Sequence, residues 1–185
     1  MEIRIFQKRW NIFFDRYEIL VDNNLMYYAK SKPFSFYSQI GLEDLDNYEL
    51  LSVKREPNLT DFLNYSINYG LSNSIEIRSE SAISYNIRIS KGTIYFHEQK
   101  SNAIAIFLNE KHIGIISKNH KKILGEDKYL IKLEKYEIDP LIVIAFTLAY
   151  DNKYHNDTDS VVTYDYDNIV INPEKEIDLN WEPKE

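Results

Sequence analysis

Along most of the chain, apolar and polar residues trade places at every second position. Ile3 and Ile5 bracket Arg4 near the start, and a period of two places successive side chains on opposite faces of a half-buried strand. The signature returns at short, regular spacing over residues 2–6, 10–21, 25–29, 34–40, 49–54, 66–69, 74–78, 83–89, 93–97, 103–108, 112–117 and 128–133. These stretches are rich in β-branched and aromatic side chains, as pleated surfaces favour. Asp22-Asn23-Asn24 and Lys91-Gly92 supply turn chemistry between them, because Asn, Asp and Gly tolerate positive φ. Charged loops are expected over 41–47, 56–61, 98–102 and 119–127, and a short helical turn over 61–65. The chain reads as mainly β.

One segment breaks the pattern. It runs Asp139-Pro140-Leu141-Ile142-Val143-Ile144-Ala145-Phe146-Thr147-Leu148-Ala149-Tyr150-Asp151, and from Leu141 to Tyr150 only Thr147 is polar. Asp139 suits an N-cap, since its carboxylate accepts from free backbone N–H groups, and Pro140 suits the first helical position. Ala145, Ala149, the leucines and Phe146 favour or tolerate a helix; Ile142, Val143, Ile144 and Thr147 are less favourable, so a buried central strand is the rival reading. Wound at 100° per residue, Leu141 to Ile144 already spread around the circle, and Ala145 to Tyr150 fill the gaps. The Thr147 hydroxyl can then bond back to the Val143 carbonyl.

A helix that is apolar on every side must be enclosed on every side. This one is too short to cross a bilayer. Burying its side chains yields on the order of 10–20 kcal/mol gross, most of it opposed by chain entropy. In a protein made of strands, the available enclosure is a closed sheet. The expected architecture is therefore mainly β (α+β): a closed antiparallel β-barrel of about twelve strands around one C-terminal hydrophobic helix.

The closing segment KYLIKLEKYEIDPLIVIAFTLAYD, with the strand–strand–loop–strand block YEILVDNNLMYYAKSKPFSFYSQIGLEDLDNYELLSVKRE, resembles the tubby C-terminal-like superfamily. That superfamily includes tubby, the LURP-one-related proteins and the phospholipid scramblases. The resemblance covers roughly residues 3–152 and implies an extended strand at 129–133, an acidic start at Asp139 and a threaded helix over 141–150. Asp46-Asn47-Tyr48 stands where the family commonly has a Gly, and the chain runs on past the point where the family's chains commonly stop. The expected organisation is a tubby-like barrel over 1–152, with its central helix at 140–152, and an acidic extension over 153–185. Within the extension, residues 161–166 and 169–171 read as an accessory hairpin on the barrel exterior. The competing reading is an acidic segment that docks a partner protein, with Trp181 as its anchor.

Charge changes the picture in one respect. The net charge is −7, from 29 acids and 22 bases, and residues 151–185 alone hold 10 acids and 3 bases. A neutral body with an acidic end excludes general nucleic-acid binding, which rests on neutralising phosphates. The absence of Cys removes disulfides, thiolate zinc sites and cysteine nucleophiles, and fits a reducing compartment. The N-terminus lacks the apolar run of a secretory signal, and no stretch approaches a transmembrane segment, so a cytoplasmic location is expected.

Candidate chemistry is sparse. His97, His112, His120 and His155 have no i, i+4 partner, and no H-E-x-x-H, G-x-S-x-G, P-loop or G-x-G-x-x-G pattern occurs. Asp44/Asp46 and Asp157/Asp159 read as turn carboxylates rather than catalytic pairs. Asn156 with Asp157/Asp159 lacks the ligand pattern of a calcium loop. No catalytic residue, cofactor or metal site is expected. Lys30, Lys32, Lys54 and Arg55 read either as ordinary surface charge or as a weak patch for phosphate or anionic lipid head groups. In tubby, basic side chains on the barrel hold a phosphoinositide, but no motif here matches them residue by residue.

The helix bears on function because it would fill the barrel. The expected activity is that of a non-enzymatic binding or scaffold protein acting through its outer surface on a protein or a membrane surface. The alternative is a carrier of a small hydrophobic ligand, or an enzyme, with an open barrel pocket; it requires the apolar rod to lie outside or to be a strand.

Overall fold

The computed structural model describes residues 1–11, 14–32, 38–57, 63–70, 73–99, 103–119, 128–155, 177–178 and 180–183. Among these described residues, twelve strands precede one helix: β1 (Glu2–Asn11), β2 (Phe14–Val21), β3 (Asn24–Ser31), β4 (Gln39–Glu43), β5 (Glu49–Arg55), β6 (Tyr65–Tyr69), β7 (Asn73–Ser81), β8 (Ser84–Ile89), β9 (Gly92–Gln99), β10 (Ala103–Leu108), β11 (Lys111–Asn119), β12 (Lys128–Leu133) and α1 (Pro140–His155). Each strand pairs antiparallel with its sequence neighbour, and β12 returns to β1 in the register Ile3↔Ile131, which closes the barrel. Closure leaves no open strand edge in the ring.

Local chemistry sets the turns. Asp22 and Asn23 take φ of 46° and 68°, the two positive values that a tight hairpin matching strand twist requires. Asp22 N–H donates to the Glu2 carbonyl, and Glu2 N–H donates to the Asp22 carboxylate, so this turn also fastens the start of β1. Gly114 is obligatory for a different reason: a Cβ there would stand 2.8 Å from the Lys132 carbonyl oxygen on the neighbouring strand.

Alternation along the strands directs Ile3, Ile5, Tyr17, Ile19, Ile67, Ile87, Phe96, Ile106 and Ile131 into one core. That core includes the helix. Val143 to Ala149 are all buried, and seven successive helical residues cover every azimuth. Phe146 stacks on Phe96 of β9 at 3.7 Å between ring centroids and tilts against Tyr85 of β8. Side chains further along α1 bond to β2, β6 and β12, so contacts reach the helix from strands spaced around the ring. The helix lies inside the barrel.

Boundaries differ from the sequence expectation in instructive places. The run over 10–21 divides between β1 and β2, because an unbroken aromatic stretch carries no period that marks a reversal. β4 begins at Gln39 and continues to Glu43, into the expected loop, while 33–37 lie outside the described residues. Tyr65 opens β6 rather than closing a helical turn; residues 61 and 62 lie outside the described residues. The helix runs to His155, not 152, since Asn152, Lys153 and Tyr154 continue it with polar side chains at the barrel end.

Candidate functional site

The start of α1 is built as its sequence predicts. The Asp139 carboxylate accepts from Leu141 N–H at 2.9 Å, and Pro140 occupies the first turn. The Thr147 hydroxyl donates to the Val143 carbonyl at 2.8 Å, so the one polar group in the rod is satisfied within it. Leu141 and Tyr150, at the two ends, are partly exposed, and Ile142, Val143, Ile144, Ala145, Phe146 and Leu148 are buried. These residues are structural. Near the cap, burial first and Asp139 second push the Tyr69 phenol up to about 12, and the same two causes raise Tyr27.

At the far end of the helix the interior turns polar. Asp151, 1% exposed, accepts from Tyr17 of β2 at 2.9 Å and from Tyr129 of β12 at 2.5 Å, with Lys118 Nζ 3.8 Å away. Lys118 also lies over the Tyr129 ring. Asn152 accepts from Tyr65 at 2.8 Å. Glu98 of β9 accepts from Tyr85 at 2.6 Å, and the Tyr85 and Tyr154 hydroxyls meet at 3.1 Å. Burial raises the Glu98 carboxyl above its ordinary range, against the lowering pull of the Tyr85 and Tyr150 hydroxyls. Burial also raises Tyr129, with Asp151 adding to it. Buried carboxylates are stable only when hydrogen-bonded or paired, and this ring of phenols meets that need. It latches the helix into the barrel. Sequence reading treated Asp151 only as the end of the apolar run; its partners are more than a hundred residues away or on other strands, so no local pattern marks them.

Of the four cations singled out from sequence, three share one outer face and Arg55 does not. Lys30 pairs with Glu43 at 2.5 Å and Lys32 with Glu49 at 2.5 Å on the outer face of β3–β5. Lys54 shares that face by alternation, while Arg55 falls on the inner-facing series opposite Tyr65. Two of the positive charges are thus already neutralised by carboxylates.

His97, His112 and Asp44 have local partners. His97 Nδ1 lies 2.9 Å from the Ser84 hydroxyl across β8 and β9, and His112 Nε2 lies 2.9 Å from the Gly114 carbonyl. Asp44 accepts from Asp46 N–H and Tyr48 N–H, each at 2.9 Å, which is turn closure. Among the described residues, no group of three or more His, Asp or Glu could hold a metal. His120, Asp157, Asp159 and the hairpin expected over 161–171 lie outside the described residues. Two described residues of the extension touch the barrel wall: Trp181 covers the His112 ring at 4.7 Å, and Glu182 pairs with Lys132.

The remaining feature is the rim around the helix N-terminus. The turns β2–β3, β4–β5, β8–β9, β10–β11 and β12–α1 all open at this end. The large apolar side chains most exposed among the described residues stand here: Tyr136 at 91%, Tyr48 at 71%, Leu45 at 51% and Met26 at 41%. The pairing Tyr28↔Glu43 runs up the wall towards Met26 on one strand and Leu45 beyond the other. Lys135 Nζ, 4.0 Å from Asp22, joins the β12–α1 turn to the β2–β3 turn.

Comparison of the chain with protein-family models, curated proteins and solved structures gives no match. No described helix is long and apolar enough to cross a membrane.

Proposed function

We propose that this chain is a non-enzymatic binding or scaffold protein of tubby-like architecture that acts through its outer surface in the cytoplasm. The observation that carries the reading is the buried helix. With Phe146 stacked on Phe96 and Val143 to Ala149 withdrawn from solvent, the barrel axis is occupied by the protein's own side chains. An apolar ligand would have to displace that core, whereas ligand sites are usually preformed concavities. The partner is a protein or a membrane surface. Carboxylates on Lys30 and Lys32 weigh against anionic head groups at that face.

The test has two arms. Titration of the folded chain with an apolar fluorescent dye such as 1-anilinonaphthalene-8-sulfonate should give no stoichiometric complex. Affinity capture from the native host with the full chain, repeated with residues 156–185 deleted so that α1 stays whole, should recover a specific partner. A one-to-one dye complex with the native fold, and no captured macromolecule, would move the reading to an open-pocket carrier.

A further inference from the structure

The outer face of β9–β11 is buried although it points away from the core. Phe96 stacks on Phe146 inside the barrel, so alternation and register send His97, Ala105, Phe107 and Ile115 to the outside. Yet none of the four is more than 6% exposed. An antiparallel wall with its core on one side ordinarily leaves the other side to water. A lone chain withdraws these side chains from solvent, so the cover is its own. Rings also run in contact across this wall. Tyr95 stacks on His97 at 6.0 Å between centroids, and Phe107 meets His97 at 5.7 Å and His112 at 5.0 Å. Trp181 closes the row, 4.7 Å from His112. Beside it, Glu182 pairs with Lys132, which stands opposite Ile115.

The end of the chain is shaped for this contact. The Asp178 carboxylate accepts from Asn180 N–H at 2.9 Å, and the Asp178 carbonyl accepts from Trp181 N–H at 3.0 Å, a closed turn that presents the indole. Length permits the seat. α1 ends at His155, whereas His112 adjoins the β10–β11 turn, at the end of the barrel where the helix begins. The return path is roughly the length of the 16-residue helix, about 24 Å. Residues 156–176, outside the described residues, can span it at about 3.3 Å each. We infer that the outer face of β9–β11 is an interaction surface and that its occupant is the chain's own C-terminal end, seated by Trp181 on the aromatic row and by Glu182 on Lys132. A tryptophan against other rings is a typical interface anchor, and the exposed ion pair at its edge adds orientation more than affinity. Tethering holds the end at a local concentration of about millimolar, so a modest contact stays closed. The wall fits the same chemistry from outside: an aromatic residue next to a carboxylate.

Fluorine NMR of the full chain labelled with fluorotryptophan tests the seat directly. The chain has two tryptophans, and Trp181→Phe assigns their resonances. The Trp181 resonance should differ from that of a labelled synthetic peptide of residues 176–185 and should not move on dilution. The same peptide then tests the surface. It should bind the full-length Trp181→Ala chain about tenfold or more tightly than wild type, whose seat is filled. A peptide that itself carries Trp181→Ala should bind neither. A wild-type Trp181 resonance at the free peptide's position would overturn the seat, whether or not the variant folds. A resonance that moves on dilution as a dimer dissociates would make the occupant a second copy's end and overturn the assignment within one chain. Equal binding of the peptide to wild type and Trp181→Ala, or no binding to Trp181→Ala at about millimolar peptide, would overturn the wall as a surface filled by this end. Each of these failures leaves the outer-surface reading standing, since that reading is tested by the dye and by capture.

Discussion

The Tyr17 hydroxyl donates to the Asp151 carboxylate over 2.9 Å, joining β2 to α1 across 134 residues of chain. Tyr129 donates to the other oxygen of the same carboxylate, so one buried charge ties β2, β12 and α1 together. The bonds are charge-assisted and shielded from water, where such contacts are strongest and their loss costs most.

Replacing Asp151 with Ala should therefore destabilise the fold by about 3–5 kcal/mol, because two buried phenols and Lys118 lose their common partner. Tyr17→Phe should cost about 1.5–3 kcal/mol. Urea unfolding of both single variants and the double variant checks this; strictly additive losses would mean that the two groups do not act as a pair.

Phe146→Ala should cost about 3–5 kcal/mol, since it opens a cavity on the barrel axis and unstacks Phe96. Thr147→Val should stay within about 1 kcal/mol, because that hydroxyl serves only its own helix. Thermal unfolding of the two variants distinguishes an axial core from a helix lying on the surface, where Phe146→Ala would be nearly silent.

Stability should depend on pH through Glu98. Burial raises its folded pKa above the ordinary 4.5, so the folded chain binds the proton more tightly than the unfolded chain. The resulting contribution is complete below about pH 4.5 and is lost as pH rises through the folded value. Glu98→Gln imitates the protonated form and can still accept from Tyr85. Its stability relative to wild type should grow across that window in urea titrations at several pH values; a difference that ignores pH would reject the assignment.

His112 should report the docking of the chain's C-terminal end. Burial lowers its pKa below 6.5, partly offset by the Gly114 carbonyl and Glu134. Its contribution to stability is present above pH 6.5 and lost as pH falls through the folded value. Removing the covering ring with Trp181→Ala should move the imidazole titration back up, as read by NMR of the ring protons. An unmoved titration would mean that Trp181 does not shield it.

Asp139→Ala should cost about 1 kcal/mol as a lost N-cap, and Asp139→Asn much less. Both should lower the Tyr69 phenol from about 12, because both remove the neighbouring negative charge. Absorbance titration of phenolate at high pH reads the shift.

Much of the fold was legible because its signals are local. Period-two stretches marked the strands, Asp22-Asn23 marked a hairpin, and the cap Asp139-Pro140 with an all-round apolar run marked a helix that had to be enclosed. The hydroxyl of Thr147 could even be assigned its acceptor, because helical geometry alone brings Val143 within reach. Less legible were the strand reversal inside residues 10–21 and the start of β4, where aromatic runs hide the period.

The chain by itself determined that strands close around a buried rod, since side-chain periodicity and the free energy of burying apolar surface are written residue by residue. Only the tertiary structure decided which distant groups meet: Tyr17 and Tyr129 at Asp151, Tyr85 at Glu98, Trp181 on His112. The reason is physical. Strand register converts small local choices into contacts across the whole ring, and a phenol on β2 carries no mark in its neighbours that a carboxylate waits on α1.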